Sequence, residues 1–89
     1  MATLVVKHAV ADYGSWRTVY DDVAGLRSQY GCTTDTVMRD AADPAQLLVI
    51  HEFPTLGDAQ SFAADPALKS AMVRGGVIGA PSIEFYQTA

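Results

Sequence analysis

The 89 residues carry six basic and ten acidic side chains, a formal charge of -4, with 49% hydrophobic and 18% charged residues; this is one folded domain over 1–89 and excludes a disordered or fibrous chain. Lys7, Arg17, Arg27, Arg39, Lys69 and Arg74 are scattered through an acidic chain, which argues against nucleic acid, and no apolar run approaches the ~20 residues that span a bilayer. A lone Cys32 cannot close an internal disulfide and no signal-peptide pattern opens the chain, so a cytoplasmic protein is expected.

The first element is a strand over roughly 3–10, Leu4-Val-Val-Lys-His-Ala-Val10, apolar on both alternating sets and therefore expected at the centre of its sheet. Asp12 or Ser15 then caps a helix. Trp16, Val19, Tyr20, Val23, Leu26 and Tyr30 recur every three or four residues and build one apolar stripe, with Arg17, Asp21, Asp22 and Arg27 largely outside it. Gly31 stops the helix. The Thr-rich run from Cys32 to Arg39 suits a strand, Asp40-Ala-Ala-Asp-Pro44 a turn, and Gln46 to Phe53 its antiparallel partner.

Thr55-Leu-Gly-Asp58 has the form of a capping box with Asp in place of Glu, opening a helix with Ala59, Phe62 and Ala63 inward. Pro66 is placed to start a further helical segment to about Arg74, with Leu68, Ala71 and Met72 inward. Gly75-Gly76 ends it, Val77 to Pro81 reads as a loop, and Ser82 to Gln87 as the last strand. The glycines at 75, 76 and 79 follow a helix rather than a strand, so helix stop and turn explain them better than a phosphate loop.

The order β-α-β-β-α-β is the ferredoxin-like α+β arrangement: a four-stranded antiparallel sheet with two helices on one face. Crossovers are expected to set the first and third strands side by side and parallel at its centre. Strand parity separates Leu4, Val6, His8, Val10, Leu47, Val49, His51, Phe53, Ile83 and Phe85 from a mixed set that includes Val5, Lys7, Ala9, Leu48, Ile50, Glu52, Glu84 and Tyr86. The apolar set is assigned to the helices. The mixed face is left for a second subunit, with Lys7 flanked by Glu52 and Glu84.

Only His8 and His51 interrupt the apolar set. If the two strands run parallel in matching register, the imidazoles sit together beneath the first helix, near Trp16 and Tyr20. Neutral imidazoles walled by aromatic rings suit proton transfer on a planar phenolic or polyketide-like molecule. The plain alternative is a pair of satisfied core histidines behind a packing stripe. A non-haem iron triad is set aside because Glu52 and Glu84 have the wrong parity, and Cys32, without an activating partner, is read as structural.

The opening Val6-Lys-His-Ala-Val10, Asp12-Tyr-Gly-Ser-Trp16, Asp65-Pro-Ala-Leu68 with Ala71-Met72, and Gly76-Val-Ile-Gly-Ala-Pro81 together resemble the dimeric α/β-barrel superfamily. That superfamily includes antibiotic-biosynthesis-monooxygenase-like domains and small polyketide cyclases. The resemblance implies a homodimer whose two sheets form a barrel, with a pocket in each subunit between sheet and helices. Cofactor-free monooxygenases of this type hold a phenolic substrate with an asparagine and a tryptophan. This chain has no asparagine, and Trp16 is its one tryptophan. Haem-degrading relatives use a histidine in the second helical region, where this chain has none between Thr55 and Arg74. In the cyclases a first-strand histidine works with a second histidine or tyrosine; His8 matches the first, and His51 would supply the second from another strand.

The reading is a small homodimeric enzyme without cofactor or metal. His8 and His51 are its catalytic pair, Trp16, Tyr20, Phe53, Phe62 and Phe85 contact the substrate, and the chemistry is of the monooxygenase or cyclase type. The alternative is a non-catalytic small-molecule-binding or assembly module with structural histidines. A cavity of ~300 Å³ or more beside both imidazoles favours the first, and continuous aromatic packing the second.

Overall fold

A computed structural model describes residues 1–89. In chain order it contains β1 (Ala2–Val10), α1 (Tyr13–Asp22), α2 (Ala24–Gln29), β2 (Thr34–Arg39), β3 (Gln46–Phe53), α3 (Leu56–Ala64), α4 (Pro66–Arg74) and β4 (Val77–Gln87). The four strands form one sheet in the order β2-β3-β1-β4. Every neighbouring pair is antiparallel. The parallel pairing expected of β1 and β3 is therefore corrected. The helical crossover after β1 brings β2 back in the same direction, and the β2–β3 hairpin then turns β3 against β1.

Register follows from that reversal: His8 stands opposite Leu47, and His51 opposite Leu4. Alternation along the strands matches the expected faces. Leu4, Val6, His8 and Val10 on β1 and Leu47, Val49, His51 and Phe53 on β3 are all buried against the helices. Ile83 and Phe85 share that side, opposite Val6 and Leu4, yet stay 40% and 37% exposed because β4 is an edge strand. On the helix-free face Lys7 lies opposite Leu48 and Ser82 rather than between Glu52 and Glu84. The chain's one ion pair is Arg17–Asp21 on α1.

Two elements differ from their sequence outline. The first helix is broken at Val23, whose φ of -98° and ψ of 19° leave the helical range. Arg27 then folds back from α2 and donates from Nη1 to the Tyr20 carbonyl at 2.8 Å, one of the terminal carbonyls that a helix leaves without an internal partner. The last strand begins at Val77, not Ser82. Val77 and Ile78 pair with Val10 and Ala9, and the register shifts before Ser82 pairs with Lys7. Gly79, at φ +71°, and Pro81 sit in that irregularity, which an edge strand tolerates. Both residues read as loop punctuation in the sequence.

Candidate functional site

The site is a layer of rings between α1 and the β1–β3 pair. Asp12 caps α1, accepting from the Ser15 amide at 2.9 Å and the Ser15 hydroxyl at 2.8 Å. Ser15 thus supports the cap rather than forming it. With its start set there, α1 turns Trp16, Val19, Tyr20 and Val23 towards the sheet at i, i+3, i+4 and i+7. Trp16 stacks on Tyr20 with ring centroids 4.8 Å apart. His8 lies 5.7 Å from Trp16, and His51 6.0 Å from Tyr20.

The two histidines are therefore not adjacent. Antiparallel register separates them by four residues along the strands, about 13 Å at ~3.3 Å per residue. Trp16 and Tyr20 bridge the gap, so the order across the site is His8, Trp16, Tyr20, His51. Phe62 closes the far end edge-on to His51, with centroids 5.4 Å apart.

Both imidazoles are nearly excluded from solvent, 6% exposed for His8 and 4% for His51. Burial disfavours the imidazolium and lowers both pKa values. For His51 the value falls to about 4, by burial first and by the nearby Arg27 charge second. No cation acts on His8. The Nδ1 atom of each ring is buried without a hydrogen-bond partner.

Sequence reasoning missed two residues at the His51 end. Asp35 faces His51 across the β2–β3 pair, and its Oδ2 accepts from the Tyr20 hydroxyl at 2.8 Å. The same hydroxyl lies 2.9 Å from His51 Nε2. Arg27, placed outside the apolar stripe by its spacing, is 8% exposed and sets its guanidinium carbon 3.9 Å from the Tyr20 ring centroid. The parity of β2, which puts Asp35 on the helix side with Val37, was the available signal for the first. Nothing in the spacing marked the second. Burial, and then the bond to Asp35, hold the Tyr20 hydroxyl protonated well above its ordinary range.

Between these rings lies a cavity of about 50 Å³. Its walls include His8, Trp16, Tyr20, His51 and Phe62, with Leu68, Ala71 and Met72 of α4 opposite. Phe53 and Phe85, expected beside the substrate, do not line it. Phe53 is fully buried behind Phe62, their centroids 5.3 Å apart, and Phe85 stands at the sheet edge. The volume suits a few waters, and is below the ~150 Å³ in which a benzene ring fits. A ring-sized ligand requires the walls to yield. Met72, which lines the cavity, is the unbranched and most adaptable of the lining side chains.

No cluster of three His, Cys, Asp or Glu side chains is arranged to hold a metal ion. Cys32 donates to the Thr34 carbonyl at 3.3 Å, and burial raises its thiol pKa. No helix is long and apolar enough to cross a membrane.

No family model and no curated protein matches the sequence. Solved structures do. A provisionally named antibiotic biosynthesis monooxygenase from Bordetella bronchiseptica superposes with a TM-score of 0.82 at 11% identity, over 99% of this chain and 96% of that one. SnoaB, a cofactor-independent oxygenase from Streptomyces nogalater, gives 0.79 at 12% identity, over 99% and 92%. A third structure, from Deinococcus radiodurans and provisionally named as the first, gives 0.78 at 19%, over 100% and 93%. At these identities the likeness establishes the fold, and the chain has the ferredoxin-like α+β fold of the antibiotic-biosynthesis-monooxygenase-like proteins.

Proposed function

We propose that this chain is a cytoplasmic, homodimeric, cofactor-independent oxygenase that takes a hydrophobic phenolic or polyketide-like molecule between its sheet and helices and starts the reaction by removing a proton. The observation that carries this reading is the pair of neutral, buried imidazoles with unpartnered Nδ1 atoms bordering one apolar cavity. The shared fold with SnoaB supports it.

The environments divide the work. A phenol ionises near pH 10, and His51 at about 4 would take its proton at a cost of about 8 kcal/mol. His8, lowered by burial without a cation beside it, is the stronger base. It removes the proton of the hydroxyl at its own end of the cavity while His51, at the other end, orients the substrate through a second hydroxyl, and Trp16, Tyr20 and Phe62 pack on its rings. The phenolate passes one electron to dioxygen, and the two radicals join in a carbon–oxygen bond. His8 returns its proton to the peroxide, and loss of water leaves a quinone.

The helix-free face of the sheet supports the dimer. Val5, Leu48 and Ile50 lie on it, and Met38, Ile78 and Tyr86 expose 45%, 58% and 53% of their surface there, a patch of the kind that pairs with another sheet.

The test is oxygen uptake with a panel of hydroxynaphthalenes and related phenols. On an active compound His8→Asn is expected to lower kcat by about 10²–10⁴-fold, and His51→Asn mainly to raise KM. Full turnover by both variants would falsify the mechanism. One observation favours a second reading, a non-catalytic module with structural histidines: the cavity of about 50 Å³ falls short of the ~300 Å³ of ordinary ligand sites. Absence of uptake with every compound, with no ligand-induced shift of either imidazole, selects that reading.

A further inference from the structure

We propose that Asp35 is a positioning residue which, acting through Tyr20, fixes His51 as its Nε2–H tautomer and so makes the buried Nδ1 an acceptor for the hydroxyl of a neutral phenol- or enol-type ligand. This rests on the reading of the cavity as a ligand site, and it names the chemistry that site selects.

The tautomer follows from counting protons. The Tyr20 hydroxyl has one, and donates it to Asp35 Oδ2 at 2.8 Å. The 2.9 Å contact between the same oxygen and His51 Nε2 then needs its proton from the ring, so Nε2 carries the hydrogen and Nδ1 the lone pair. That lone pair is buried and unpartnered on a ring that borders the cavity. A buried acceptor without a donor is costly, and a ligand O–H removes the cost.

Charge selects further. The one buried cation near the site, Arg27, is committed to the Tyr20 carbonyl and the Tyr20 ring, and the remaining walls are apolar apart from the imidazoles. A carboxylate would enter with no counter-charge and against the lone pair of Nδ1. A methyl ether has no proton to give it. Asp35 itself lies exposed on the edge strand β2, outside the core, so replacing it leaves the packing in place.

The experiment is ¹⁵N NMR of the His51 ring in the full chain, followed by titration with phenol and with anisole. Wild type is expected to show the Nε2–H tautomer. In Asp35→Ala the Tyr20 proton is released to turn towards Nε2, and the spectrum moves towards Nδ1–H; Asp35→Asn, which keeps a carbonyl acceptor, retains the wild-type form. Phenol is expected to bind wild type about 10- to 100-fold more tightly than anisole, with the preference falling towards parity in Asp35→Ala. An Nδ1–H tautomer in wild type, a His51 spectrum unmoved by Asp35→Ala, or equal responses to the two probes, including none, overturns the proposal. Both readouts are independent of turnover. A protein inert towards oxygen that still shows them loses the oxygenase reading and keeps this one.

Discussion

His8 and His51 occupy the same face of one sheet, with nearly the same burial, at opposite ends of one cavity. Their surroundings differ. His51 is tied through Tyr20 to Asp35 and lies near the Arg27 charge, whereas His8 has Trp16 as its ring neighbour. Burial lowers both rings and is the first cause at His51, where the Arg27 charge lowers the value further; the Tyr20–Asp35 contact then makes His51 a positioned acceptor and leaves His8 the better base. Trp16 and Tyr20, stacked between them, are the only rings that join the two environments.

The largest way to break the comparison is to remove that joint. Trp16→Ala deletes a side chain 5% exposed that touches both His8 and Tyr20, and is expected to cost about 3–5 kcal/mol. Denaturant unfolding measures it; a loss under 1 kcal/mol would mean that the ring layer is not packed as a unit.

Acid sharpens the comparison next. The folded pKa of His51, about 4, lies below its ordinary 6.5, so between these values the unfolded chain binds more protons than the folded one. Stability contributed by the neutral ring is complete above pH 6.5 and is lost as pH falls to 4, by about 3 kcal/mol for this group. His51→Phe is expected to remove most of that slope, while His8→Phe removes less. Equal flattening by the two would dissolve the distinction between them.

A smaller effect is expected from Tyr20→Phe, which strips the hydroxyl from both Asp35 and His51 and leaves a buried ring N–H without an acceptor. The cost is about 1–3 kcal/mol. The His8 resonances should stay in place while those of His51 move; movement of both would show one coupled network instead of two ends. Smallest is Phe85→Ala at the half-exposed sheet edge, in the register row of Leu4 and His51. It is expected to cost less than about 1 kcal/mol and to leave the His51 spectrum unchanged, and a clear shift there would return Phe85 to the site.

Faces were legible in the sequence because alternation along a strand is a local property. Leu4, Val6, His8, Leu47, Val49 and His51 needed only parity to be placed under the helices, and Trp16 and Tyr20 only a period of three to four. Strand direction was misjudged for the central pair, and with it the distance between the histidines. The site's polar machinery was less legible still. Asp35 reads as one acidic residue in a Thr-rich edge strand, and Arg27 as a solvated charge, until Val23 interrupts the helix and folds Arg27 back on Tyr20.

The sequence by itself determined the order of elements, the buried face of each strand, and the residue types able to hold or move a proton, because these follow from periodicity and side-chain chemistry within a few residues. Register, and the meeting of Asp35, Tyr20 and His51 from three elements, were decided by the tertiary structure alone. A hydrogen bond between residues 15 and 31 positions apart exists only once strand direction and helix placement have set both ends within 3 Å, and no local pattern encodes that distance.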